Sequence, residues 1–185
     1  FLGDTIKGAK GRAIQDFNRA AYNRALNPIG ESFNPEIKAG YEGIENVYNR
    51  LSNAYEDLLP KMKVQKDAVF DDEMANLKSL VTELPEERAK QFNRIIDNTV
   101  LSKFTDAGLM HPEQMKAVDS KLGEKIRLYM SSTDADQREL STALQEAQSI
   151  LRKMVERQNP EYASELANIN KGYANLMRME KASSM

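Results

Sequence analysis

Residues 37–60 read IKAGYEGIENVYNRLSNAYEDLLP, and the spacing of their apolar side chains decides the fold. Ile37, Tyr41, Ile44, Tyr48, Leu51, Tyr55 and Leu58 follow one another in alternating steps of four and three. Such steps hold one stripe of a helix towards a partner, here over about six turns. Polar residues dominate the positions between, so the opposite face suits water. The run stops at Pro60, which lacks an N–H and disfavours helix in the residue before it.

Outward from this stretch, Pro and Gly recur at helix-length intervals. Asn27-Pro28-Ile29-Gly30 closes a first helix, and Asn34-Pro35 opens the second. Leu84-Pro85 separates the third from the fourth. Ala107-Gly108 and His111-Pro112 bracket the turn before the fifth, Ser131-Ser132-Thr133-Asp134 precedes the sixth, and Asn159-Pro160 opens the seventh. Thr133 with Asp136, and Asp134 with Gln137, have the spacing of a helix cap.

Each segment repeats the apolar periodicity. The third carries Phe70, Met74, Leu77, Val81 and Leu84, and the fourth Ala89, Phe92, Ile96 and Val100. The fifth carries Met115, Val118, Leu122, Ile126 and Tyr129, and the sixth Leu140, Leu144, Ala147, Leu151 and Met154. The last has Leu166, Ile169, Tyr173 and Leu176. The first is thinner, with Ile6, Ala13, Phe17 and Ala20 or Ala21. No segment alternates at period two for long enough to predict a strand.

The expectation is an all-α fold: an irregular, mostly antiparallel bundle of about seven amphipathic helices, since short connections favour antiparallel neighbours. A division near Pro60 gives an N-terminal helical hairpin (1–60) and a C-terminal five-helix part (61–185); one continuous helical domain is the alternative.

Composition fits a folded, well-solvated chain, with 41% hydrophobic and 29% charged residues in 185. Zero cysteines excludes disulfides, thiolate catalysis and cysteine zinc sites. The 26 basic and 28 acidic residues nearly cancel, which argues against a dedicated nucleic-acid binder. Charge is uneven, however. Residues 1–30 hold Lys7, Lys10, Arg12, Arg19 and Arg24 against Asp4 and Asp16, whereas residues 31–59 are acidic. Pairing or screening of the two segments is the simpler reading. The other gives Lys7, Lys10, Arg12 and Arg19 a weak contact with an anion such as DNA. No apolar run reaches the ~20 residues that a membrane-spanning helix needs. Without an initial Met, and ending in Ser183-Ser184-Met185, the chain reads as a segment of a longer protein.

The search for chemistry yields no catalytic, cofactor or metal site. His111 is the single histidine and has no partner motif for base or nucleophilic catalysis, so it reads as a turn residue. Asp71, Asp72 and Glu73 suit the positive end of a helix dipole better than a cation, since no Gly-centred calcium loop accompanies them. Gly3, Gly8 and Gly11 follow no strand and match no phosphate-binding loop. The nine Met residues fall mostly on apolar stripes and read as core.

Two stretches carry a resemblance: residues 4–30, DTIKGAKGRAIQDFNRAAYNRALNPIG, and residues 159–182, NPEYASELANINKGYANLMRMEKA, with LSNAYEDLLPKMKVQKD and MVERQNP between them. They resemble a helical region of the large internal virion, DNA-transfer or ejection proteins of tailed bacteriophages. The resemblance implies a non-enzymatic virion component that associates with itself or other virion proteins. It also implies departure with the genome and a role at the host envelope. It supplies no functional residues. The alternative from the residues is a helical adaptor or coiled-coil domain whose stripe from Ile37 to Leu58 docks a partner helix.

Overall fold

The computed structural model describes residues 18–33 and 41–184. Among these residues it is all-α, with seven helices. We label these α1 (residues 18–26), α2 (Tyr41–Leu58), α3 (Ala68–Val81), α4 (Glu86–Ile95), α5 (Pro112–Met130), α6 (Ala135–Gln158) and α7 (Ala163–Ser184). The chain forms two compact units. One joins residues up to Asp57 with Ser164–Ser183, and the other holds Leu58–Ala163. The boundary thus falls just before Pro60, but α7 clusters with the N-terminal residues instead of with α3 to α6.

In the first unit, α1 runs into a 3-10 turn at Asn27–Ile29 and ends at Gly30, whose φ of 78° is the left-handed conformation that favours glycine. Ala21, Tyr22, Ala25 and Leu26 of α1, Phe33, and Val47 and Leu51 of α2 form one buried cluster with Leu176 and Met179 of α7. Small side chains on α1 let its neighbours come close. At Gly172 of α7, an added Cβ would lie 2.5 Å from the Ala25 carbonyl oxygen and 2.6 Å from a Leu51 methyl. The aromatic rings of Tyr22 and Phe33 pack at 4.9 Å between centroids, and those of Tyr48 and Tyr173 at 6.0 Å. Asn23 fixes the turn after α1 by accepting from the Phe33 N–H at 2.7 Å, and Arg50 donates to the Ser32 carbonyl.

In the second unit α6 is the central helix, packed by α5, α3 and α4. The expected stripe from Leu140 to Met154 is buried, but so are Ser141, Gln148, Ile150 and Val155. A helix with neighbours on several sides buries more than a single stripe. The third helix keeps Phe70, Met74, Leu77 and Val81 inside, as its spacing predicts. The fourth segment holds its α form only to Ile95 and continues as a π turn over Ile96–Val100. That turn buries Ile96, Thr99 and Val100 together.

Two short segments pair where no strand was expected. Val64–Gln65 (β1) lies antiparallel to Leu109–Met110 (β2), with Val64 opposite Met110. Two residues are too short for a period-two pattern to register. Gly108, at φ 80°, makes the turn before β2, and its carbonyl accepts from Lys66 N–H at 2.8 Å.

Candidate functional site

The stripe on α2 is the principal candidate. Ile37 lies outside the described residues, as does the side chain of Tyr41. Ile44 and Tyr48 are half-buried against the α1–α2–α7 cluster, while Leu51, Tyr55 and Leu58 are buried. Val47 is fully buried although it falls outside the four-three series. At about 100° per residue Val47 lies about 60° from Ile44 and about 40° from Leu51, within the breadth of one apolar face, so the buried face is wider than the four-three series and centred nearer 47 and 51. Within the first unit, Leu51 of this stripe is covered by α1 and α7, and Ile44 and Tyr48 pack partly against the same cluster.

Among the anion-contact candidates, Lys7, Lys10 and Arg12 lie outside the described residues. Arg19 lays its guanidinium 5.5 Å from the centroid of the Phe33 ring, a cation–π arrangement within the chain.

The titratable candidates serve helix ends. His111 is the N-cap of α5, its Nδ1 accepting from the Glu113 N–H at 3.4 Å, and Pro112 takes the first helical position. Asp134 caps α6 by accepting from Asp136 N–H at 2.8 Å, one residue from the pairing its spacing suggested. Asp71 sits in the first turn of α3, where a carboxylate complements the dipole, and lies 3.9 Å from Lys66 Nζ.

The strongest polar constructions were not singled out from sequence. Asp67 is the N-cap of α3 and accepts from Phe70 N–H at 2.8 Å. Arg157 also binds it through Nε and Nη2 at 2.8 and 2.9 Å, and Gln158 reaches it at 3.3 Å. The Arg157 hydrogen bonds hold the Asp67 carboxyl down at about 2, against the partial burial that would raise it. Asp67 in turn raises the already high value of Arg157. An Asp three residues before Phe70 is a capping signal that was available; its partner ninety residues on was not. Asp119 and Arg152 form a second such pair, this one buried between α5 and α6. Nothing in a helical pattern tells which of many acids will face which base.

An open depression runs along α4, lined by Glu86, Glu87, Lys90, Asn93 and Arg94. Lys90 is already bound to Glu86 at 2.9 Å, one turn away. Mixed signs on one solvated helix face do not focus a field. No group of three or more metal-ligating side chains converges among the described residues, and no helix there is long and apolar enough to cross a membrane.

No family model, curated protein or solved structure matches the chain.

Proposed function

We propose that the chain is a structural helical segment of a tailed-phage virion protein, acting by assembly with other virion proteins or with further copies of itself, and helping the genome across the host envelope. The reading begins from the resemblance of residues 4–30 and 159–182 to the helical regions of internal and ejection proteins.

One observation supports a structural role above a chemical one. The acids, bases and histidine that sequence or structure brings forward are engaged in building helices. Asp67, His111 and Asp134 cap helix starts, while Asp119 and Arg152 neutralise each other between two helices. The apolar side chains do the rest, at about 25 cal/mol for each Å² removed from water. Cover of Val47 and Leu51 by α1 and α7 favours packing inside the chain over capture of a foreign helix on that face.

The test is mass spectrometry of particles purified by density gradient after induction of the encoding phage. Peptides of this chain at a fixed ratio to the major capsid protein are the expected result. Their confinement to the host lysate, with none in intact particles, rejects the reading.

A further inference from the structure

The chain crosses between its two units twice, leaving the first after Asp57 and re-entering it at Ser164. Inside the second unit these two links are fastened to each other. Asn159, only 7% exposed, accepts from the Lys63 N–H through Oδ1 at 2.7 Å. Its Nδ2 donates to the Lys63 carbonyl at 2.7 Å and to the Val155 carbonyl at 2.8 Å. One side-chain amide thus takes both backbone groups of Lys63, as a neighbouring strand would. Four residues further on, Asp67 is held by Arg157 and Gln158. The segment from Lys63 to Asp67 is therefore tied at both ends to the end of α6.

The core of the first unit is made of two pieces of chain that only these links connect. Ala21, Tyr22, Ala25, Val47 and Leu51 come before the first crossing, and Leu176 and Met179 come after the second. If the second unit were unfolded, joining the pieces would close a loop of roughly one hundred residues. With Asn159 on Lys63, the closure runs only through residues 58–62 and 160–163, roughly ten in all. Closure probability falls as the three-halves power of length, so this shortening is worth about thirty-fold.

We infer that the folded second unit, fastened at its exits by Asn159 on Lys63 and by Arg157 on Asp67, is an effective-concentration device for the first: it raises the equilibrium constant for assembling the first unit about thirty-fold over a chain whose second unit is unfolded. The first unit opens more readily when its links are lengthened, and slightly more readily when the clasp alone is broken, although none of its own contacts has been touched.

Native-state hydrogen exchange on the whole chain tests this, comparing amides of Val47, Leu51 and Leu176 with those of Leu122, Leu144 and Leu151. A flexible Gly-Ser insert between Tyr162 and Ala163, extending the links from about ten to about thirty residues, leaves every clasp contact in place. It should speed exchange in the first unit about five-fold and leave the second unchanged. Asn159→Ala leaves Arg157 on Asp67 as the nearest tie, lengthens the closure to about fifteen residues, and should speed first-unit exchange about two-fold. First-unit exchange that ignores the length of the insert overturns the inference, as does an Asn159→Ala effect confined to the second unit. If Asn159→Ala does not fold, the insert series decides alone.

Discussion

Arg152 of α6 grips Asp119 of α5 through two parallel hydrogen bonds, Nε to Oδ1 at 2.8 Å and Nη2 to Oδ2 at 2.9 Å. Both side chains are nearly buried, at 12% and 10% exposure. Gln148 Nε2 adds a bond to the Asp119 carbonyl at 3.2 Å. Such a pair stabilises little against a well-packed apolar substitute, because both charges have left water, but breaking it strands a charge. Arg152→Met alone should therefore cost about 3–5 kcal/mol, and Asp119→Leu with Arg152→Met together much less. Urea denaturation of the two single variants and the double one measures the coupling. Equal losses in single and double variants would mean that the pair's geometry does not matter.

Two glycines predict opposite outcomes for the same substitution. Gly172 touches Ala25 and Leu51 so closely that a methyl group has no room beside a backbone carbonyl, which cannot swing away as a side-chain tip can. Gly172→Ala should force α7 off α1 and cost about 1–3 kcal/mol or more, with lost exchange protection at Leu176 and Val47. Gly123, inside α5, would place its new Cβ 3.9 Å from Gln148 Nε2, an ordinary contact. Gly123→Ala should stabilise by about 0.5–1 kcal/mol, since glycine weakens a helix interior. Thermal melts of the pair distinguish steric fit from propensity, and a stabilised Gly172→Ala would refute the close approach.

The helices were legible because periodicity is a local property. Phe70, Met74, Leu77 and Val81 needed only their own spacing to be placed inside. The breaks at Pro28, Pro85, Pro112 and Pro160 were equally local, since each proline acts on its own turn. The partners were not legible. Leu176 shares a buried cluster with Val47 across most of the chain, and neither stripe names the other. Tyr22 escaped because its apolar neighbours in the segment are mostly alanines, which mark a face weakly, and a tyrosine there is as readily read as surface. The same limit holds for Asp67 and Arg157, where the cap could be read from Asp67 and Phe70 but the guanidinium arrives from the far end of α6. On α2 the four-three series names Ile44, Tyr48 and Leu51 but passes over Val47, whose burial depends on how far α1 and α7 wrap the helix and not on its own spacing.

Asp67 predicts a loss of stability in acid. Its carboxyl stands at about 2 in the folded chain against an ordinary 3.8, first through Arg157 and also through Phe70 N–H. A lowered folded value means that the stabilisation is complete above 3.8 and disappears as pH falls from there through about 2. With both groups partly solvated, the contribution is on the order of 1 kcal/mol. Asp67→Asn retains an oxygen able to cap α3 but loses the charge on which Arg157 rests. The variant should be weaker near neutrality and should lose less on acidification across that window. Denaturation midpoints at a series of acidic pH values test it; parallel curves for the two proteins would show that Asp67 is not the group titrating.

Tyr22 predicts the mirror-image behaviour in alkali. Burial first, and the Glu180 carboxylate second, push its phenol from 10.0 up to about 12. Because the folded value is raised, the neutral phenol's contribution is intact below 10.0 and is lost as pH climbs through about 12. Ionisation would place a negative charge in the α1–α2–α7 core beside Phe33, whose ring lies 4.9 Å away. Tyr22→Phe keeps the ring and its packing while removing the titrating hydroxyl. It should leave stability near neutral pH within about 1 kcal/mol of the wild type and then hold the first unit together further into alkali. Glu180→Gln should move phenolate formation only slightly downward in pH and slightly lessen the loss of protection, because charge is the smaller of the two causes and removing it narrows the gap above 10.0. Exchange protection at Leu176, followed together with phenolate absorbance between pH 9 and 12, separates these outcomes. If wild type and Tyr22→Phe lose protection at the same pH, ionisation elsewhere opens the first unit.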